Sequence, residues 1–75
     1  IAERRDLLME HLERMVARYG AERAVPRMRK FAAWYVRGLP EAARFRARIN
    51  AAADAAAFRR EVETYFARLA ASEAC

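Results

Sequence analysis

Residues 29–40 read RKFAAWYVRGLP, and the architecture turns on whether one helix or two pass through them. Ala32, Tyr35 and Val36, with Val25 and Met28 just before them, recur at the three- and four-residue spacing that collects apolar side chains on one face of an α-helix. Gly38 supplies a C-terminal stop, and Pro40, with its fixed φ and missing amide donor, suits the first turn of a new helix. One amphipathic helix therefore ends and another begins within a few residues. Trp34 stands out in this helix because it lies among cations, where neither a solvated surface nor a packed core readily takes it.

To either side the same logic applies. The spacing predicts a helix over Glu22–Arg37 that tolerates Pro26 in its first turn, where no amide donor is needed. Before it, Leu8, Leu12, Met15 and Tyr19 share one face of a helix over Ala2–Tyr19, and Gly20 ends it. After it, Ala42, Phe45 and Ile49 form the stripe of a helix over Pro40–Ala52. Asp54 is placed to cap a fourth helix, with Phe58, Val62, Tyr65, Phe66 and Leu69 on its buried face and fraying expected at Ser72. No run alternates with period two, so the class is all-α. Short connections between four amphipathic helices predict a compact four-helix bundle whose neighbours are mostly antiparallel.

The chain has 75 residues, room for one domain with a small core. Fifteen Lys and Arg oppose ten Asp and Glu, a net charge of +5, and fourteen of the fifteen are Arg. That balance favours a polyanionic partner, and Arg forks suit phosphate better than Lys does. Cys75 is the sole cysteine, which removes disulfide frameworks and paired metal spacings and reads as an exposed tail thiol. No apolar run approaches the roughly 20 residues that span a bilayer, and no signal peptide opens the chain, so a cytoplasmic setting is expected. The pattern starts at once after Ile1, as in a domain belonging to a longer protein.

At 100° per residue Arg23, Arg27, Lys30, Trp34 and Arg37 fall within an arc of about 80°, opposite Met28 and Ala32. Cations neutralise phosphates, and an aromatic ring between them offers a stacking platform, so RNA suits this stripe. A plain alternative is a solvated flank in which Arg23, Arg27 and Arg37 are simply hydrated and Trp34 packs under a neighbouring helix or against a domain outside this chain. On the third helix Arg44 and Arg48, and likewise Arg46 and Asn50, are i, i+4 neighbours flanking the apolar stripe. Arg59, Arg60 and Arg68, interleaved with Glu61 and Glu63, read as a solvated face. Catalytic constellations are absent: His11 is the only histidine and reads as structural, Asp6, Glu10 and Glu13 read as ion-pair partners of Arg, and no glycine-rich phosphate loop exists.

The residues from Tyr19–Gly20 through RKFAAWYVRGLPEAARFRARIN at 29–50 resemble the C-terminal helical domain of bacterial tRNA-dihydrouridine synthases, in the B-type, nitrogen-regulation-like subclass. That pattern runs R-K-H-x-x-W-Y-x-K-G-L-P-G-A and then F-R-x-x-I-N. Arg29, Lys30, Trp34, Tyr35, Gly38, Leu39, Pro40, Ala42, Phe45, Arg46, Ile49 and Asn50 match it. Phe31 stands where the family usually has His, Arg37 where Lys is frequent, and Glu41 where Gly is common.

The resemblance implies a longer enzyme, in which an N-terminal FMN-binding barrel uses NADPH to reduce a tRNA uridine while residues 1–75 form one helical domain that grips folded tRNA. Arg27, Arg29, Lys30, Trp34, Arg37, Arg46 and Asn50 are then the RNA-binding candidates, with Trp34 stacking or packing. No catalytic residue, cofactor or metal site is assigned to this chain. Its partners are tRNA and its own barrel, with no membrane, and a monomer is expected. A protein-interaction bundle whose basic face meets an acidic partner is the alternative; peripheral membrane binding is disfavoured by the lack of a spare apolar face.

Overall fold

The structure is a computed structural model that describes residues 2–74, with side chains from 3 to 72; Ile1 and Cys75, on which two of the sequence readings fall, lie outside the described residues. Four helices follow one another: α1 Ala2–Tyr19, α2 Ala21–Tyr35, α3 Ala42–Ala51 and α4 Ala55–Ala74. No strand occurs among the described residues. The all-α four-helix bundle expected from the periodicity is the observed fold.

A single residue joins α1 to α2. Gly20 adopts φ 86°, a left-handed conformation that side chains resist and glycine accepts. Its amide closes the last turn of α1 on the Val16 carbonyl at 2.8 Å, and its carbonyl accepts the Ala24 amide of α2 at 2.9 Å. The chain must then fold straight back. Tyr19 meets Arg27 near the turn, His11 meets Phe31 and Tyr35 further on, and Arg4 reaches Arg37 at the far end. That reversed order makes the pair antiparallel. Arg48 against Glu61 and Phe45 against Tyr65 show the same order for α3 and α4.

The core gathers apolar faces from every helix: Leu8 and Leu12, Val25, Met28, Ala32 and Val36, Phe45 and Ile49, and Phe58, Val62, Tyr65, Phe66 and Leu69 are all buried. At ~1.5–3 kcal/mol for each large side chain taken from water, this seam is the main stabilising term. Asp54 caps α4 as its position predicts, with Oδ1 accepting the Ala57 amide at 2.8 Å. The helix continues past Ser72 to Ala74, since no Gly or Pro interrupts it there.

The junction between α2 and α3 departs from the sequence reading. The second helix stops at Tyr35, two residues before Arg37, and the third starts at Ala42 instead of Pro40. Between them the chain runs through turns, with the Arg37 amide on the Trp34 carbonyl and the Leu39 amide on that of Val36. Two residues take positive φ, Gly38 at 82° and Glu41 at 57°. Tyr65 of α4 donates its hydroxyl to the Pro40 carbonyl at 2.7 Å. This tertiary bond anchors Pro40 in the turn just ahead of α3, and local helix signals around Pro40 could not reveal it.

Candidate nucleic-acid interface

The outer face of α2 carries the predicted stripe. Arg23, Arg27, Lys30 and Trp34 are exposed there, while Ala24, Val25, Met28 and Ala32 point inward. Trp34 is 74% exposed, so the choice left open by the sequence falls against packing within the bundle. Arg37 is also exposed, but it stands in the turn beyond the helix, where Arg4 donates to its carbonyl at 3.4 Å. None of Arg23, Arg27, Lys30 or Arg37 forms an ion pair with a carboxylate among the described residues; the pairs there are Arg5–Asp6, Arg14–Glu10, Arg44–Glu41 and Arg48–Glu61. These cations are therefore free for another anion.

Arg29 takes a different position. It lies on the flank of α2 towards the α3–α4 connection, half-buried, and donates from Nη2 to the Ala52 carbonyl at 3.1 Å. Its Nε is buried without a partner among the described residues. A guanidinium spent in this way ties α2 to the connection and is not displayed beside Lys30. Arg46 and Asn50 are exposed on α3, away from the buried Phe45 and Ile49, and on a different helix from the cations of α2. Of the seven candidates, then, Arg27, Lys30 and Trp34 share one face with Arg37 at its end, while Arg29, Arg46 and Asn50 lie elsewhere.

The first helix contributes groups that spacing along α2 could not reveal. The Arg27 guanidinium sits over the Tyr19 ring at 4.3 Å, a cation–π contact that holds the planar fork ready for an anion. The His11 ring packs against Phe31, with centroids 4.7 Å apart, and its Nδ1 is 3.3 Å from the Tyr35 hydroxyl. Leu7 is 55% exposed. Between α1 and α2 these side chains line a furrow, with an open hollow of about 420 Å³ beside His11, Tyr19, Arg27, Lys30 and Phe31 and another of about 220 Å³ beside Leu7, His11 and Tyr35; a further hollow on α2 itself lies beside Phe31, Trp34 and Tyr35. The one-residue turn at Gly20 was the signal for the furrow, since it forces residues equidistant from that glycine to face each other.

Two departures from the resembled pattern now have physical settings. Phe31, which replaces the usual His, gives the His11 ring an apolar partner. Glu41, where the resembled pattern has Gly, is the non-glycine residue with positive φ among the described residues, a conformation that Gly adopts without strain. Burial first, and then the Glu41 carboxylate, raise the Tyr65 phenol above its ordinary 10.0, with Arg4 opposing. The proton that Tyr65 donates to Pro40 is held accordingly.

No group of three or more His, Cys, Asp or Glu is placed to hold a metal among the described residues, and no helix there is long and apolar enough to cross a membrane.

An all-α bundle with a basic, aromatic outer face is the class of domain that the geometry defines. The sequence profile of the dihydrouridine synthase (Dus) family matches residues 1–71. The chain belongs to the dihydrouridine synthase family. It is 36% identical over 66 residues to a probable tRNA-dihydrouridine synthase of Rickettsia conorii, covering 88% of this chain and 20% of that protein. It is 33% identical over 66 residues to one of Rickettsia typhi with the same coverage, and 34% identical over 61 residues to one of Rickettsia bellii, covering 81% of this chain and 19% of the relative. The chain thus spans about a fifth of the length of the curated relatives it matches. No solved structure matches it.

Proposed function

We propose that residues 1–75 are the tRNA-binding C-terminal helical domain of a tRNA-dihydrouridine synthase of the B-type, nitrogen-regulation-like subclass, holding folded tRNA while a catalytic barrel in the longer protein reduces a uridine. The observation that carries this reading is the exposed stripe of Arg27, Lys30, Trp34 and Arg37, whose cations have no carboxylate partners among the described residues. Unpaired Arg and Lys on one face release counterions when phosphates replace them, which gives affinity for RNA backbone without sequence readout. The names of the relatives and their much greater length, of which the matched part is 20%, support a role as one part of a tRNA-modifying enzyme. Arg46 and Asn50 extend the surface if the tRNA wraps from α2 towards α3. A monomer acting in the cytoplasm, where its substrate is, completes the reading.

The flavin and NADPH that the resemblance implies do not fit this chain. The more enclosed cleft beside Pro40, Phe45 and Tyr65 holds about 90 Å³, far below the ~300–1,000 Å³ of small-molecule sites, and the hollows that reach this range, about 420 Å³ beside Tyr19 and Arg27 and about 330 Å³ beside Arg48 and Glu61, are shallow. The hollows beside α2 are open to solvent, and both glycines serve turns instead of a phosphate cradle. Redox chemistry is accordingly assigned to the barrel, and this domain's own part is to bind and orient. The purified chain supplied with FMN, NADPH and tRNA is expected to form no dihydrouridine.

The reading is tested by titrating the 75-residue chain with unmodified tRNA at two salt concentrations. Binding should weaken steeply with salt. In the Lys30→Ala, Arg37→Ala double variant, the dependence of log affinity on log salt should become shallower by up to about one unit for each phosphate no longer neutralised. A folded double variant with unchanged affinity and salt slope would remove this stripe from the interface.

A further inference from the structure

We infer that Trp34 is a stacking platform for one unpaired nucleobase, with Lys30 and Arg37 holding the phosphates on either side of it. This rests on the tRNA-binding reading and narrows it, because a purely electrostatic domain would grip paired stems by backbone alone. Trp34 is 74% exposed, and no other aromatic ring packs on it among the described residues. It borders a shallow, solvent-open hollow with Phe31 and Tyr35, so its ring face can be reached from outside. A ring so displayed gains from contact with another flat π-face.

Charge selects the occupant. Lys30 precedes Trp34 by about 6 Å of helix rise, Arg37 follows it at the turn, and neither is ion-paired among the described residues. A second copy of the chain laid on this face would set Arg27, Lys30 and Arg37 against their own counterparts, and like charges oppose that pairing. An acidic protein would answer the cations, but it offers the ring a flat partner only where one of its own planar side chains stands opposite, whereas every base of an RNA has a π-face. RNA supplies both, provided that a base is unstacked. In an A-form stem the base faces are covered by their neighbours, whereas loops and single strands splay theirs out for aromatic side chains. The ligand is therefore a loop or single-stranded segment.

Trp34 is the sole tryptophan, so its emission reports the stack directly. The chain is titrated with unmodified tRNA, with single-stranded oligouridylate and with a blunt, fully paired RNA duplex. The tRNA and the single strand should quench the emission, and the duplex should bind by charge without quenching it. The Trp34→Phe variant should keep most of the affinity for tRNA, whereas Trp34→Leu, which retains an apolar side chain without a π-face, should lose about tenfold. Both variants should melt like the parent, because the Trp34 side chain is 74% exposed. Salt-sensitive tRNA binding with unchanged emission, or a Trp34→Leu variant that binds like the parent, would overturn the stack while leaving RNA binding intact. Absence of any tRNA binding would overturn both readings. Quenching by self-association or by an acidic protein, without any by RNA, would assign the face to protein instead.

Discussion

The two halves of the bundle use the same residue types differently. In the α3–α4 half the aromatic rings are inside: Phe45, Phe58, Tyr65 and Phe66 are buried, and Tyr65 lies between Phe45 at 4.5 Å and Phe66 at 5.2 Å. Arg44 and Arg48 are matched to Glu41 and Glu61. In the α1–α2 half Trp34 is exposed, Tyr19, Phe31 and Tyr35 are half-buried, and Arg27 and Lys30 stand over rings instead of beside carboxylates. The first arrangement buries its rings and stabilises the fold, although the exposed Arg46, Arg60 and Arg68 on its outer side lack carboxylate partners among the described residues just as the cations of α2 do. The second sets one exposed ring, Trp34, on the same face as such cations. Composition does not separate the two halves, but the placement of the rings does.

Truncation in the half with buried rings should have the largest effect. Phe58→Ala should cost about 3–5 kcal/mol through lost burial and a residual cavity, comparable with the whole stability of so small a bundle. Its circular dichroism should lose the cooperative melt; a folded, cooperatively melting variant would mean that the core lies elsewhere.

A sharper contrast lies within α2 itself. Arg29→Ala removes the bond to Ala52 and the packing of its stem, and should cost roughly 1.5 kcal/mol in a urea titration. Lys30→Ala, one residue along but outward, should fall within about 0.5 kcal/mol of the parent. Equal costs for both would dissolve the distinction between inner and outer cations.

The Tyr65 anchor should show itself in alkali. Its folded-state pKa is raised above 10.0, so its stabilisation is complete below that ordinary value and is lost as pH rises through the higher folded one. Tyr65→Phe should cost about 1 kcal/mol at neutral pH and flatten the alkaline limb of stability against pH. An alkaline limb identical in parent and variant would show that the bond to Pro40 contributes nothing there.

A further change, at Glu41, should have the opposite sign. Relief of a left-handed side-chain residue is worth about 1–2 kcal/mol, and glycine's extra unfolded-state entropy takes back about 0.5–1. The surface pair with Arg44 adds little. Glu41→Gly should therefore raise stability by about 0.5–1 kcal/mol, read as a higher melting temperature; a lower one would show that the interactions of the Glu41 side chain outweigh the strain.

Residue order alone specified the helical class, the bounds of α1, the turn at Gly20, the cap at Asp54 and nearly every core residue, because each follows from periodicity or from a local backbone preference. Met28 and Ala32 are buried where their spacing puts them, whereas Tyr35, expected beside them in the core, is only half-buried; its hydroxyl sits near His11 at the rim. The α2–α3 junction needed tertiary packing to set it, since the Tyr65 hydroxyl bonds the Pro40 carbonyl and α3 begins at Ala42. Packing also selected which cations are free. Arg29 and Lys30 are neighbours of nearly equal chemistry in the chain, yet 100° of helix rotation turns one to the Ala52 carbonyl and leaves the other in solvent. The furrow that joins Tyr19 to Arg27 and His11 to Phe31 is likewise a property of two helices in contact, because a periodicity read along one helix carries no information about the partner face it meets.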